Sequence, residues 1–86
     1  MHVHISALKH GISKADITHV YEHPITFSDL EPNSDPPKVL IIGADNAGNL
    51  LEVIFLVLEQ DELLAIHAMR LRPAFYPLLP DPTEMT

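Results

Sequence analysis

The chain has 86 residues, no cysteine and a net charge of −7, with five Lys and Arg against twelve Asp and Glu. This length predicts one domain over residues 1–86. The absence of cysteine excludes disulfide cross-links and zinc sites with cysteine ligands. The acidic balance argues against a broad nucleic-acid-binding surface, which needs an excess of basic residues.

The apolar segments are all shorter than the roughly 20 residues of a membrane span. The chain starts Met1-His2-Val3-His4, without the basic and apolar regions that are typical of a secretory signal. We therefore expect a cytoplasmic protein with no membrane partner.

Two helices are predicted near the start of the chain. Residues 5–10 form a short periodic stretch that stops at Gly11, a residue that often follows a helix C-terminus. Ser13 is a good N-cap for a second helix. That helix should end at His23, because the residue before Pro24 is disfavoured in the α conformation.

Apolar and β-branched segments predict strands at 25–27, 38–44, 50–58 and 63–69. Short polar turns join the last three, so an antiparallel meander is the simplest topology. Residues 29–37 contain three prolines and are predicted to form a surface loop. The expected fold class is α+β: two N-terminal helices packed on an antiparallel sheet of three to four strands, followed by a short Pro-rich C-terminal segment.

The strand predicted at 50–58 is apolar on both faces, and the two helices can cover only one of them. The other face needs residues 73–80, a second copy of the chain or a different protein. We expect an ordered core over about 3–79, a flexible tail at 80–86, and a homo-oligomer formed through the apolar sheet face.

Two histidine pairs have spacings that could hold a metal ion. His2 and His4 would share one face of a strand, and His19 and His23 lie one turn apart on the second predicted helix. Neither pair has an obvious third ligand, and solvated side chains are the simpler interpretation. We therefore expect no metal and no cofactor.

The residues best suited to catalysis are Lys9, His10, His67, Arg70 and Arg72. Cleavage of RNA by its own 2′-hydroxyl needs a base, an acid and cations that stabilise charge on the phosphate. His10 or His67 could transfer protons. Lys9, Arg70 and Arg72 could hold the phosphate, and arginine can donate to two oxygens at once.

A structural interpretation of the same residues stays open. Lys9 and His10 could satisfy carbonyls at a helix end, His67 could be a buried hydrogen-bonded side chain, and the arginines could face solvent at the end of a sheet. Strict alternation would also place His67 and Arg70 on opposite faces of their strand unless a bulge intervenes.

The order of several short motifs resembles BrnT-type toxins, small proteins of type II toxin–antitoxin pairs with a RelE-like fold. The matching pieces are Lys9-His10-Gly11-Ile12-Ser13, His23-Pro24, Ile42-Gly43, Gly48-Asn49-Leu50-Leu51 and Ile66-His67-Ala68. The resemblance covers about residues 5–76. It implies a ribonuclease that slows translation, with RNA as substrate and a cognate antitoxin protein as partner.

Carried over by position, Lys9 and His10 match the Lys-His-Gly segment of these toxins, and Arg70 lies at or one place after their strand arginine. Met69 stands where that arginine is common, and residues 73–80 replace a basic helix. The alternative function is a non-catalytic module on the same scaffold that dimerises or binds a partner.

Overall fold

A computed structural model describes residues 1–81 of the chain. It contains the strands β1 (His2–Val3), β2 (Thr26–Glu31), β3 (Lys38–Ala44), β4 (Leu50–Val57) and β5 (Leu63–Arg70), and the helix α1 (Lys14–Glu22). Three 3₁₀ turns cover Ile5–Leu8, Glu59–Asp61 and Pro73–Leu78. The strands form one sheet in the order β1-β5-β4-β3-β2, in which β1 runs parallel to β5 and the other pairs are antiparallel.

The predicted fold of two helices on three to four strands is wrong. The described residues form one α-helix and a five-stranded sheet, because the chain before α1 gives the short strand β1 and the first 3₁₀ turn. Ala7 is the only buried residue of that turn, too little apolar contact to stabilise so short a helix. The Ser6 hydroxyl instead donates to the carbonyl oxygen of Ile66, at 2.7 Å, and ties the turn to β5.

Other elements lie close to their predicted positions. The strand predicted at 38–44 is confirmed, and the next two strands differ from their predictions by one residue at one end. Helix α1 begins after Ser13, whose hydroxyl oxygen accepts the backbone N–H of Asp16 at 3.1 Å. The strand predicted at 25–27 is longer than expected, since pairing with β3 extends it into the predicted loop as far as Glu31.

Other parts of the chain pack against both faces of the sheet. On one face, α1 contributes Ile17 and Val20 to the larger core. The strand residues of that core are Val39, Ile41, Leu51, Val53, Phe55, Ala65 and Ala68. On the opposite face, Phe75 and Leu79 pack against a smaller buried cluster that includes Leu40 and Ile42.

The C-terminal segment therefore covers part of the sheet face that the predicted helices could not cover. The predicted homo-oligomer stays a prediction. Of the tail predicted at 80–86, residues 82–86 lie outside the described residues. Within residues 1–81, no helix is long and apolar enough to cross a membrane.

Candidate functional site

A buried carboxylate on the central strand organises the candidate site. Glu52 of β4 is fully buried. Its Oε1 accepts the backbone N–H of Arg72 at 2.9 Å, and its Oε2 accepts a guanidinium N–H from Nη2 of Arg72 at 2.7 Å. Nε of Arg72 lies 3.1 Å from Oε1 and 3.2 Å from Oε2. Nε2 of His67 lies 3.0 Å from Oε2. Both oxygens of the carboxylate are therefore fully engaged.

A β-bulge in β5 brings His67 to the same face as Glu52. Phe55 pairs with Ala65, whereas its neighbour Ile54 pairs with His67, so Ile66 is one extra residue in β5. Because of this residue, Ala65 and Ala68 both enter the core beneath α1. His67 lies on the opposite face, which alternation along β4 also gives to Glu52.

The bulge does not bring His67 and Arg70 together. Residues 67–70 pair regularly with β4, so these two side chains remain on opposite faces of β5.

The charge on Glu52 fixes the proton on His67. Burial raises the pKa of Glu52, but the hydrogen bonds from Arg72 and His67 outweigh it and leave the pKa below its usual value. The hydrogen bonds that the Arg72 side chain donates to Glu52 in turn raise the pKa of Arg72. An ionised carboxylate only accepts hydrogen bonds, so Nε2 of His67 carries the proton that it donates. When the ring is neutral, Nδ1 holds the lone pair and can accept a proton.

His10 is the second imidazole of the site. Its ring centroid lies 5.6 Å from that of His67, with the ring planes at 72°. His10 follows the first 3₁₀ turn, which the Ser6 hydrogen bond anchors beside Ile66. Gly11 then reverses the chain with a φ of +82°, a conformation that favours glycine. The anchored turn and the glycine together hold His10 beside the bulge.

Arg72 is held on two sides and still presents an edge to solvent. Its guanidinium lies 5.6 Å from the centroid of the Phe75 ring, and its side chain is 50% exposed. The bonds to Glu52 use Nε and Nη2. Within residues 1–81, Nη1 has no hydrogen-bond acceptor, so this nitrogen is available to an anionic ligand.

The remaining predicted site residues lie in other surroundings. Arg70 lines a pocket with Tyr76, whereas the hydrogen-bond and ion-pair partners of Glu52 are His67 and Arg72. Lys9 is exposed, and its side chain forms no hydrogen bond or ion pair with any residue in 1–81. The two arginines, expected to meet one anion together, thus have separate neighbours. We define the Glu52 site as Glu52, His67, Arg72 and His10.

Glu52 was missing from the residues that we selected from the sequence. The available signal was its position as the only charged residue in the apolar run 50–58. A charge at the centre of a sheet must be buried, and a buried charge requires partners. Arg72 is one of the few cations that could pair with Glu52. Whether the two residues meet depends on the register of β4 and β5, which the sequence does not show.

The other histidines have separate neighbours. Nδ1 of His19 lies 2.8 Å from the carbonyl oxygen of Ala44, and its ring packs 4.8 Å from that of His23. His2 contacts Glu62, and His4 bonds to Ser6. Among residues 1–81, no three potential ligands gather closely enough to bind a metal ion.

No known protein family, curated protein or solved structure matches the chain.

Proposed function

We propose that the chain is a metal-independent endoribonuclease, the toxin component of a type II toxin–antitoxin pair. The observation that carries this proposal is the pairing of His67, oriented by the buried Glu52, with a second imidazole on His10. Cleavage of RNA by its 2′-hydroxyl needs two proton-transfer groups near one phosphate. The motif order that resembles BrnT-type toxins supports the same class.

The proposed reaction assigns one role to each residue of the Glu52 site. Nδ1 of His67 takes the proton of the 2′-hydroxyl, whose oxygen attacks the adjacent phosphorus. The bond from phosphorus to the 5′-oxygen breaks, His10 protonates that oxygen, and a 2′,3′-cyclic phosphate remains. Glu52 stabilises the imidazolium that forms on His67, as a carboxylate does in a catalytic triad. Nη1 of Arg72 donates to the phosphate.

The roles predicted for Lys9 and Arg70 stay secondary proposals. Lys9 precedes His10 and could add charge at the phosphate, whereas Arg70 lies on the other face of β5 from His67, and its predicted part in RNA binding stays a prediction. A translation-blocking ribonuclease works in the cytoplasm and requires a cognate antitoxin protein in the cell that makes it.

Induced expression in a bacterial host that lacks the antitoxin tests the proposal. We expect the wild-type chain to arrest growth and to degrade RNA within the hour. The variants His67→Gln and His10→Gln should grow normally, because each removes one proton-transfer group. The matched control is His23→Gln, which removes an exposed histidine outside the Glu52 site and should still arrest growth.

Normal growth with a soluble, folded wild-type chain would refute the ribonuclease. Arrest by all of the variants would refute the assignment of the site. Each accumulated protein needs a circular dichroism spectrum, so that loss of fold is not mistaken for loss of catalysis.

A specific observation favours a second candidate, the non-catalytic binding module. Phe27 is 58% exposed on β2, an edge strand that carries the acidic residues Asp29 and Glu31. An exposed aromatic on an unpaired strand edge is a common docking feature. Normal growth, intact RNA and capture of a specific partner or a second copy would establish this function in place of the enzyme.

A further inference from the structure

A pocket of about 550 Å³ opens beside the end of β5, apart from the Glu52 site. Its size lies within the roughly 300–1,000 Å³ of pockets that hold small molecules. Leu50, Leu71 and Leu79 give it an apolar lining, and Arg70 and Tyr76 add a cation and an aromatic ring. Two backbone hydrogen bonds join lining residues. The Leu71 N–H donates to the Leu50 carbonyl at 3.0 Å, and the Leu79 N–H donates to the Tyr76 carbonyl at 3.0 Å.

Arg70 is one of the residues that line this pocket, at the end of β5. Within residues 1–81 its guanidinium forms no hydrogen bond and no ion pair. Arg70 interacts electrostatically with Asp45, whose oxygens already accept from the backbone N–H groups of Ala47 and Asn49 and from the Asn49 side chain, at 2.9, 2.8 and 3.0 Å. Arg70 therefore keeps a planar fork of donors suited to a carboxylate or a phosphate.

Tyr76 adds a second recognition element. Its side chain is 52% exposed although it borders an apolar pocket. An aromatic face in this position can stack on a planar ring, while the leucines exclude water from the ring's edge. The lining thus combines a cation for one end of a ligand with a flat apolar surface for the rest.

We propose that this pocket binds a small planar ring that carries an anionic group. The carboxylate or phosphate oxygens bind to Arg70, and the ring lies between Tyr76 and the leucine lining. Two sources share this chemistry, a nucleotide and an aromatic carboxylic acid. The site is separate from the Glu52 site, so it does not depend on ribonuclease activity.

Titration of the full chain with adenosine 5′-monophosphate and with indole-3-carboxylate, followed by backbone amide NMR, tests the proposal. We expect at least one probe to give saturable shifts at Gly48, Asn49 and Leu71. Saturation by the nucleotide alone identifies a nucleotide site, by the carboxylate alone an aromatic-acid site, and by both the shared chemistry.

Three variants test the lining. Arg70→Gln should weaken binding of the anionic probes about tenfold or more, because it removes a charge-assisted hydrogen bond. Lys14→Gln removes the same charge from an exposed position on α1 and should leave the affinity unchanged. Tyr76→Leu should weaken the ring-bearing probes and have no effect on inorganic phosphate.

Two results would overturn the proposal: no saturable shift with either probe at millimolar concentration, or equal affinity in the wild type and Arg70→Gln. The spectrum of each free variant shows whether it is folded. His67→Gln should bind the probes like the wild type, so a failure of the ribonuclease proposal and a failure of this one are distinguishable.

Discussion

At the residue scale, Glu52 is an ionised group in the centre of a sheet that remains charged because its partners surround it. Burial of a carboxylate without partners is expensive, and such a group would take up a proton. Arg72 donates to both oxygens of Glu52 and His67 donates to one of them, and these bonds outweigh the effect of burial on the pKa of Glu52. The same bonds set the protonated nitrogen of His67, so one buried residue controls both stability and the proposed chemistry.

The lowered pKa of Glu52 predicts a loss of stability in acid. Its contribution is fully present above the usual value of 4.5 and disappears as the pH falls through the lower pKa of the folded state. The free energy of unfolding of wild type and Glu52→Gln, measured in urea from pH 7 to pH 3, should differ most at neutral pH. The difference should shrink below about pH 4.5. A constant difference across this range would contradict the role given to the carboxylate.

Substitution of Arg72 and of Arg70 by alanine gives a matched comparison of stability. Arg72→Ala leaves Glu52 buried without its main partner, so we expect it to lower the free energy of unfolding clearly, although Arg72 itself is half exposed. Arg70→Ala removes an exposed cation that forms no ion pair within residues 1–81 and should change stability by no more than about 0.5 kcal/mol. Equal effects in thermal or chemical denaturation would show that the Glu52–Arg72 pair does not stabilise the fold.

At the element scale, the sequence predicts the bounds of those strands and helices that neighbouring residues determine. The strands β3, β4 and β5 carry dense apolar and β-branched runs separated by polar turns, so their positions could be predicted within a residue or so. The end of α1 is likewise set locally, by the proline after His23.

Elements that depend on distant contacts could not be predicted in this way. Residues 5–8 have a helical pattern, but a hydrogen bond to Ile66 and a parallel pairing of β1 with β5 decide their structure. The bulge at Ile66 has no marker such as glycine. Both features place His10 beside His67, which is why those two residues could be selected from the sequence but their contact could not.

Packing of α1 on β3 depends on a glycine. A Cβ at Gly43 would lie 3.1 Å from a methyl carbon of Val20 and 3.3 Å from the His23 carbonyl oxygen. We expect Gly43→Ala to destabilise the protein by about 1–3 kcal/mol through overpacking. Part of this loss should vanish in a Val20→Ala background, which removes the nearest methyl. A double-mutant cycle on unfolding free energies measures the coupling, and strict additivity would argue against this contact.

At the scale of the whole molecule, charge is the dominant surface property. The net charge of −7 would rise to −1 if all six histidines were protonated. The sequence isoelectric point is about 5.1. We expect solubility to fall and self-association to grow as the pH is lowered, because like-charge repulsion between copies weakens. Light scattering from pH 7.5 to 5.5 measures this, and an unchanged signal would contradict it.

An acidic molecule that cleaves RNA must hold its substrate locally, since its overall field repels the phosphate backbone. The Glu52 site has few cations for this purpose, and Glu52 neutralises one of them. Substrate contacts would then be few and short-range, and cleavage should depend only weakly on moderate salt, because few counterions are released.

The most direct test is cleavage of a labelled RNA by purified protein in excess chelator. The account predicts fragments with 2′,3′-cyclic phosphate ends from the wild type. Both His67→Gln and His10→Gln should lose this activity while retaining the wild-type circular dichroism spectrum and a free energy of unfolding within about 1 kcal/mol of the wild type. Folded wild-type protein that leaves RNA intact, or cleavage that persists in both variants, would contradict the proposed ribonuclease site.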